Sequence, residues 1–189
     1  GHEARGPAAE PQRRQVTLVS CQLAGLAEGG APLDTEDMGE LEQAFHEASM
    51  EVIERHGGSV ALSMGGEVLA CFGWTQGRED DSERAVRTGL QLTRELRESL
   101  RHRLPHLPLS GLFVRGGVHT ELMVVGARLQ GEAPHVAAWL ARQAGPGELV
   151  LSDTTWTLVR GAFQAEPLGS HAFKGLSGSV SMETHRVRG

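Results

Sequence analysis

A chain of 189 residues, 39% hydrophobic and 22% charged, is long enough to bury one real core and has the composition of a soluble globular protein. Its formal charge of −6, without any Lys/Arg-rich run, gives no electrostatic ground for a nucleic-acid partner. No stretch approaches the roughly 20 consecutive apolar residues of a membrane-spanning helix, so no membrane insertion by this domain is expected.

The first residues read as an appendage. Gly1-His2 has the look of an expression scar, and Glu3–Gln12 is a polar, Pro/Ala-containing linker without the apolar core of a signal peptide. Residues 1–13 are therefore read as scar and linker and 14–189 as a single domain cut from a longer chain, with neighbouring domains as partners. Cys21 and Cys71 both lie in apolar runs, and nothing nearby in sequence would activate a thiolate. Buried, reduced thiols and a cytoplasmic location are expected.

Val16–Leu23 is a short apolar run rich in β-formers and predicts a buried strand, followed by a Gly-rich loop, Ala24–Pro32. Asp34–His56 has helical spacing, with Met38, Leu41, Phe45, Ala48, Val52 and Ile53 on one face, Asp34 or Thr35 as N-cap and Gly57-Gly58 as stop. Ser59–Ser63 and Glu67–Phe72 flank Met64-Gly65-Gly66 and predict a hairpin. Asp80–Arg103 is the strongest helix. Acids crowd its start, arginines crowd its end, and Ala85, Leu92, Leu96 and Leu100 form its core stripe. Six arginines there are interleaved with acids, which predicts a solvated, salt-linked face.

Leu112–His119 and Leu122–Val125 predict a second hairpin, Ala133–Ala144 a helix stopped by Gly145-Pro146-Gly147, Glu148–Leu151 a strand and Asp153–Val159 a short helix. Phe163–Val187 reads as two strands around a Gly-rich bend. The order predicts an α+β fold, a mainly antiparallel sheet with helices packed on one face.

Several blocks, taken in order, resemble the class III adenylate and guanylate cyclase catalytic domain. They are Arg14–Val19, Gly58–Ala61 running through Met64–Gly73, Glu79–Arg87, Gly117–Thr120, Gly131–Leu140 and His171–Gly175. The resemblance covers nearly all of residues 14–187. It implies a ferredoxin-like core, a dimer with nucleotide between subunits, two Mg or Mn ions on two aspartates, a base-reading lysine, and an asparagine and arginine that stabilise the transition state.

The resemblance also locates what is missing. The first metal-carboxylate position is Gln22, a neutral amide, and the second is Gly66, which has no side chain. Glu67 is adjacent, but one residue along a strand turns it to the opposite face from Gly66. Leu62 stands at the base-reading lysine, and His135 and Trp139 at the asparagine and arginine, their i, i+4 spacing intact. Losing one preorganised donor costs about 100- to 1,000-fold in rate, so losing the carboxylates and the arginine together leaves essentially no catalysis. Lys174 matches the phosphate-contacting lysine and, with Gly25, is the expected nucleotide- or phosphate-binding position. A solvated lysine in a Gly-rich turn is the simpler account of Lys174. The second hairpin is short between Val125 and Gly131, where the family has a longer excursion.

Other candidates are weaker. His102 and His106 have metal-like spacing, but Pro105 breaks the helix between them. His119 fits a hydrogen-bonded core role. Gly65-Gly66 lacks the lysine and Ser/Thr of a Walker motif and fits a turn. No catalytic residue, metal site or cofactor is therefore expected. The function that follows is an inactive cyclase homology domain, regulatory or interaction-forming, in an intracellular signalling protein, pairing as a homo- or heterodimer through the cyclase-like face. The alternatives are a metal-independent nucleotide sensor, and an active cyclase if Glu67 or a partner subunit supplies metal ligands. Trp139 is expected to be buried against Leu62 or across a subunit contact.

Overall fold

A computed structural model describes residues 13–26, 32–124, 131–175 and 178–189. The first six elements are β1 (Arg13–Ala24), α1 (Thr35–Arg55), β2 (Ser59–Met64), β3 (Glu67–Phe72), α2 (Asp81–Arg103) and β4 (Phe113–Val124). Their strands lie in the order β2-β3-β1-β4, which is a ferredoxin-like core. α3 (Ala133–Gln143), β5 (Leu149–Ser152), α4 (Asp153–Val159), β6 (Ala165–Gly175) and β7 (Gly178–Val187) follow. They extend one seven-stranded sheet to β2-β3-β1-β4-β5-β7-β6, antiparallel except where β5 runs parallel to β4. The α+β fold read from the sequence is the fold observed.

β1 explains its own apolar run. Val19 and Cys21 face α1 and α2, packing with Leu41, Phe45, Ile53, Leu92 and Leu96, whereas Val16 and Leu18 face the other side with Leu69, Met123, Ala133 and Ala137. A strand buried on both faces has no reason to alternate polar and apolar residues. The expectation of helices on one face only is therefore corrected, because α3 covers the opposite face. Two adjacent glycines of β4 permit this. A Cβ on Gly116 would lie 2.8 Å from Leu149 and 3.0 Å from Thr93 of α2, and one on Gly117 would lie 2.4 Å from Ala137 O and Ala141 N of α3.

The predicted second hairpin is a single strand. β4 pairs with β1 without a break from Phe113↔Ala24 to Val124↔Arg13, and the polar Thr120-Glu121 step that suggested a turn lies within it. Thr120 is polar because it joins a buried hydroxyl chain. Thr17 Oγ1 is 3.0 Å from Ser82 Oγ and from Thr120 Oγ1, Thr120 Oγ1 is 2.9 Å from Thr155 Oγ1, and that atom is 3.1 Å from Ser152 Oγ. The chain satisfies groups that burial would otherwise penalise. Residues 1–12 of the expected linker, and the expected shortening after Val125 up to residue 130, lie outside the described residues. Arg13, read as linker, is the first residue of β1.

The helix boundaries follow their caps. Asp34 Oδ1 accepts from Asp37 N at 2.8 Å and starts α1. Asp81 is buried at the start of α2, where it accepts from Arg78 N at 2.7 Å and pairs with Arg84. The charged face of α2 carries the expected pairs, Arg87–Glu83 at 3.3 Å and Arg101–Glu98 at 3.4 Å. Cys21 and Cys71 are buried free thiols on opposite sides of the sheet, and burial raises both pKa values, that of Cys71 to about 12.

Candidate functional site

Of the positions singled out by the resemblance, Gln22, Leu62 and His135 lie on the α3 face of the sheet, whereas Trp139 packs toward β6 and Gly66 and Gly25 face elsewhere. Gln22, near the end of β1, is 7% exposed and uses both ends of its amide. Its Nε2 donates to Ala138 O of α3 at 3.1 Å, and its Oε1 accepts from Arg115 Nε of β4 at 3.1 Å. The amide oxygen that could face a cation is thus held by a guanidinium, whose positive charge disfavours a metal ion beside it. Gly66 supplies nothing, and the Cβ it lacks would point at Leu23, toward α1 and α2. These residues do not fit a two-metal centre. Among the described residues no three His, Cys, Asp or Glu side chains converge on a point.

Glu67 requires a correction. It does face away from the side chain that Gly66 would have, but that turns it toward Gln22 and not away from it. The two residues are directly paired across β1 and β3, and Ser20 Oγ donates to Glu67 Oε1 at 3.2 Å. One carboxylate therefore lies on the α3 face beside Gln22. The two-residue period of a strand sets the face of Glu67 relative to Gly66, whereas its relation to Gln22 depends on the β1–β3 register.

Leu62 and Trp139 do not meet. Leu62 is 44% exposed on β2 and lines a cavity of about 530 Å³ with Val60, Leu69, Trp74, Pro134 and His135. Trp139 is half-buried one turn further along α3, packed edge-on against Phe173 with ring centroids 5.6 Å apart, beside Leu168 and Met182. The expected Leu62–Trp139 contact is replaced by an α3–β6 contact, because a side chain one turn along α3 from His135 reaches β6 and not β2.

His135 is exposed and lines both the Leu62 cavity and a second one, of about 370 Å³, with Glu132, Arg142, Phe173, Lys174 and Gly175. Lys174 and Arg142 are both exposed there. Arg142 was not read as a site residue, although its i+7 spacing from His135 on α3 places it on the same helix face and could have been found from the sequence. Gly25 does not join this cavity. It ends β1 at a φ of +85°, and a side chain there would meet Gly111 O at 2.1 Å, so turn geometry and close packing demand the glycine.

His119 occupies the core position expected of it, 6% exposed, with Nδ1 2.9 Å from Ser152 Oγ. Burial lowers its pKa to about 4, outweighing Glu121 Oε1 at 3.8 Å. Burial, and then the charge of Glu132, raise the pKa of Glu121. His106 pairs with Glu40 at 3.0 Å and does not meet His102 at a shared ligand.

No family model and no curated protein matches the sequence. Solved structures do match over nearly the whole chain. The adenylyl cyclase CyaB from P. aeruginosa superposes with a TM-score of 0.81 at 22% identity, over 94% of this chain and 95% of that one. The guanylyl cyclase Cya2 gives 0.77 at 20% identity, over 95% and 94%. An adenylate/guanylate cyclase/hydrolase from Silicibacter pomeroyi gives 0.68 at 19% identity, over 94% and 98%. The chain has the fold of class III cyclase domains.

Proposed function

We propose that this domain, built on the class III cyclase fold, is a non-catalytic regulatory or protein-interaction module of a multidomain signalling protein. The observation that carries this reading is the Gln22 bridge. In closing a cyclic phosphodiester, the 3′-hydroxyl of the ribose must lose its proton as it attacks the α-phosphate, and the charge that builds on that phosphate and the departing pyrophosphate must be stabilised; metals held by carboxylates supply both. Here the first carboxylate position joins β1 to α3 and to Arg115. Glu67 alone offers one carboxylate where two are needed.

The test is an assay of the purified protein with ATP or GTP and Mn²⁺, against a no-enzyme control, alongside the Glu67→Ala variant. No cyclic nucleotide is expected from either. Turnover abolished by Glu67→Ala would identify Glu67 as the replacement ligand and overturn the reading. Turnover in both would overturn the assignment of the site. Millimolar Mn²⁺ alone should also leave the melting temperature unchanged, whereas a ligand at 100 times its Kd adds about 2.7 kcal/mol.

A second reading, a metal-independent nucleotide or phosphate sensor, is favoured by one feature, the cavity shared by Lys174, Arg142 and His135. A lysine and an arginine together can hold a phosphate without metal. Titration with a nucleotide in EDTA tests it. Binding lost in Lys174→Ala and Arg142→Ala supports it, and no binding sinks it.

A further inference from the structure

The sheet has two edges, and they are unlike. The β6 edge carries Glu166, Pro167, His171 and Lys174 together with a register shift between Pro167 and Gly169. Charge, proline and irregularity are the features that keep an edge from pairing with another strand. The β2 edge, Ser59–Met64, has the sequence Ser-Val-Ala-Leu-Ser-Met, without a charge or a proline. It shares one protective feature, a register shift between Val60 and Leu62, so its regular part is Leu62–Met64.

The backbone of this edge is available. β2 and β3 are joined by the two-residue turn Gly65-Gly66, which closes the pair Met64↔Glu67. In such a hairpin the closing pair exchanges its hydrogen bonds, so the next residue, Ser63, turns its N–H and C=O outward. Among the described residues, Ser59–Met64 makes no backbone–backbone hydrogen bond outside the β2–β3 ladder. Two large apolar side chains of this strand are exposed on the face shared with Leu69 and Glu67, Leu62 at 44% and Met64 at 66%.

We propose that β2 is a self-association edge, on which a second copy of this chain lays its own β2 antiparallel and joins two seven-stranded sheets into one. Unpaired backbone donors and acceptors select a strand as the occupant. The absence of charge selects a second copy, because a two-fold pairing brings the strand against itself and any charged residue near the axis would meet its like. The pairing also covers Leu62 and Met64 with their own counterparts. It is independent of the reading of the cleft, and it differs from a dimer formed through the cleft face around Trp139.

The experiment measures the oligomeric state of the whole chain by sedimentation and follows amide exchange of residues 59–64 with protein concentration. Ser63 lies on the face away from the cleft, opposite Val68, so Ser63→Lys places like charges across the junction without altering the cleft. Ser63→Pro removes the outward N–H directly, and circular dichroism establishes that each variant is folded. A dimer whose Ser63 amide gains protection with concentration, and which becomes monomeric in Ser63→Lys and in a folded Ser63→Pro, supports the proposal. A monomer at every concentration overturns it, as does a dimer that withstands Ser63→Lys and dissociates only in Trp139→Arg.

Discussion

Arg115 Nε donates to Gln22 Oε1 at 3.1 Å across paired strands, while the other end of the same amide, Nε2, holds Ala138 O of α3. A buried amide with both ends used ties the helix on one face of the sheet to the two central strands. Gln22 is thereby a structural joint between sheet and helix.

Gln22→Ala should therefore destabilise the fold by about 1–3 kcal/mol, because Ala138 O and Arg115 Nε both lose their partner in a largely dry setting. Urea unfolding followed by circular dichroism measures this. A change within a few tenths of a kcal/mol would show that water replaces the amide without loss and that the joint carries no stability.

The two neighbouring glycines of β4 should differ. A methyl on Gly117 meets the backbone of α3 at 2.4 Å, and backbone cannot yield without moving the helix. A methyl on Gly116 meets the side chains of Leu149 and Thr93 at 2.8 and 3.0 Å, which have rotamer freedom. Gly117→Ala should cost more than the roughly 1–3 kcal/mol typical of overpacking, and Gly116→Ala should fall within that range. Equal costs in urea melts would mean that α3 moves aside freely.

Trp139→Ala removes the edge-on contact with Phe173 and should cost roughly 1–3 kcal/mol, less than a fully buried tryptophan because the ring is half-exposed. Trp139→Arg should cost a similar amount and produce no cyclic nucleotide, since a guanidinium there does not restore the carboxylates. Unchanged melting temperatures for both would show that the α3–β6 contact is incidental.

Burial lowers the pKa of His119 to about 4 from 6.5 in the unfolded chain. Stability from keeping it neutral is fully present above the unfolded pKa and is lost as pH falls through this window, because only the unfolded state takes up the proton. At roughly 1.4 kcal/mol per unit the loss is on the order of 3 kcal/mol when complete. His119→Gln keeps an amide within reach of Ser152 and cannot titrate, so its urea midpoint should fall less steeply between pH 7 and pH 5. Parallel slopes for the two proteins would count against a buried, neutral His119.

The sequence by itself determined most of the elements. Local signals fix a helix: Asp34 as cap, the Leu92–Leu96–Leu100 stripe, and glycines or Pro105 at the stops. The apolar runs flanking Met64-Gly65-Gly66 signal the first hairpin in the same way, and the pairing Met64↔Glu67 shortens its turn to Gly65-Gly66. Tertiary structure alone decided the rest. Whether Thr120-Glu121 turns or continues depends on β1, which offers an unbroken partner from Arg13 to Ala24. Which face α3 takes depends on Gly117, a residue with no side chain to signal it. Whether Glu67 faces Gln22 depends on a register between strands separated by α1 and β2. Periodicity in a sequence reports which residues share a face of one element. It does not report which face meets which neighbour, because that contact is made by residues far apart in the chain.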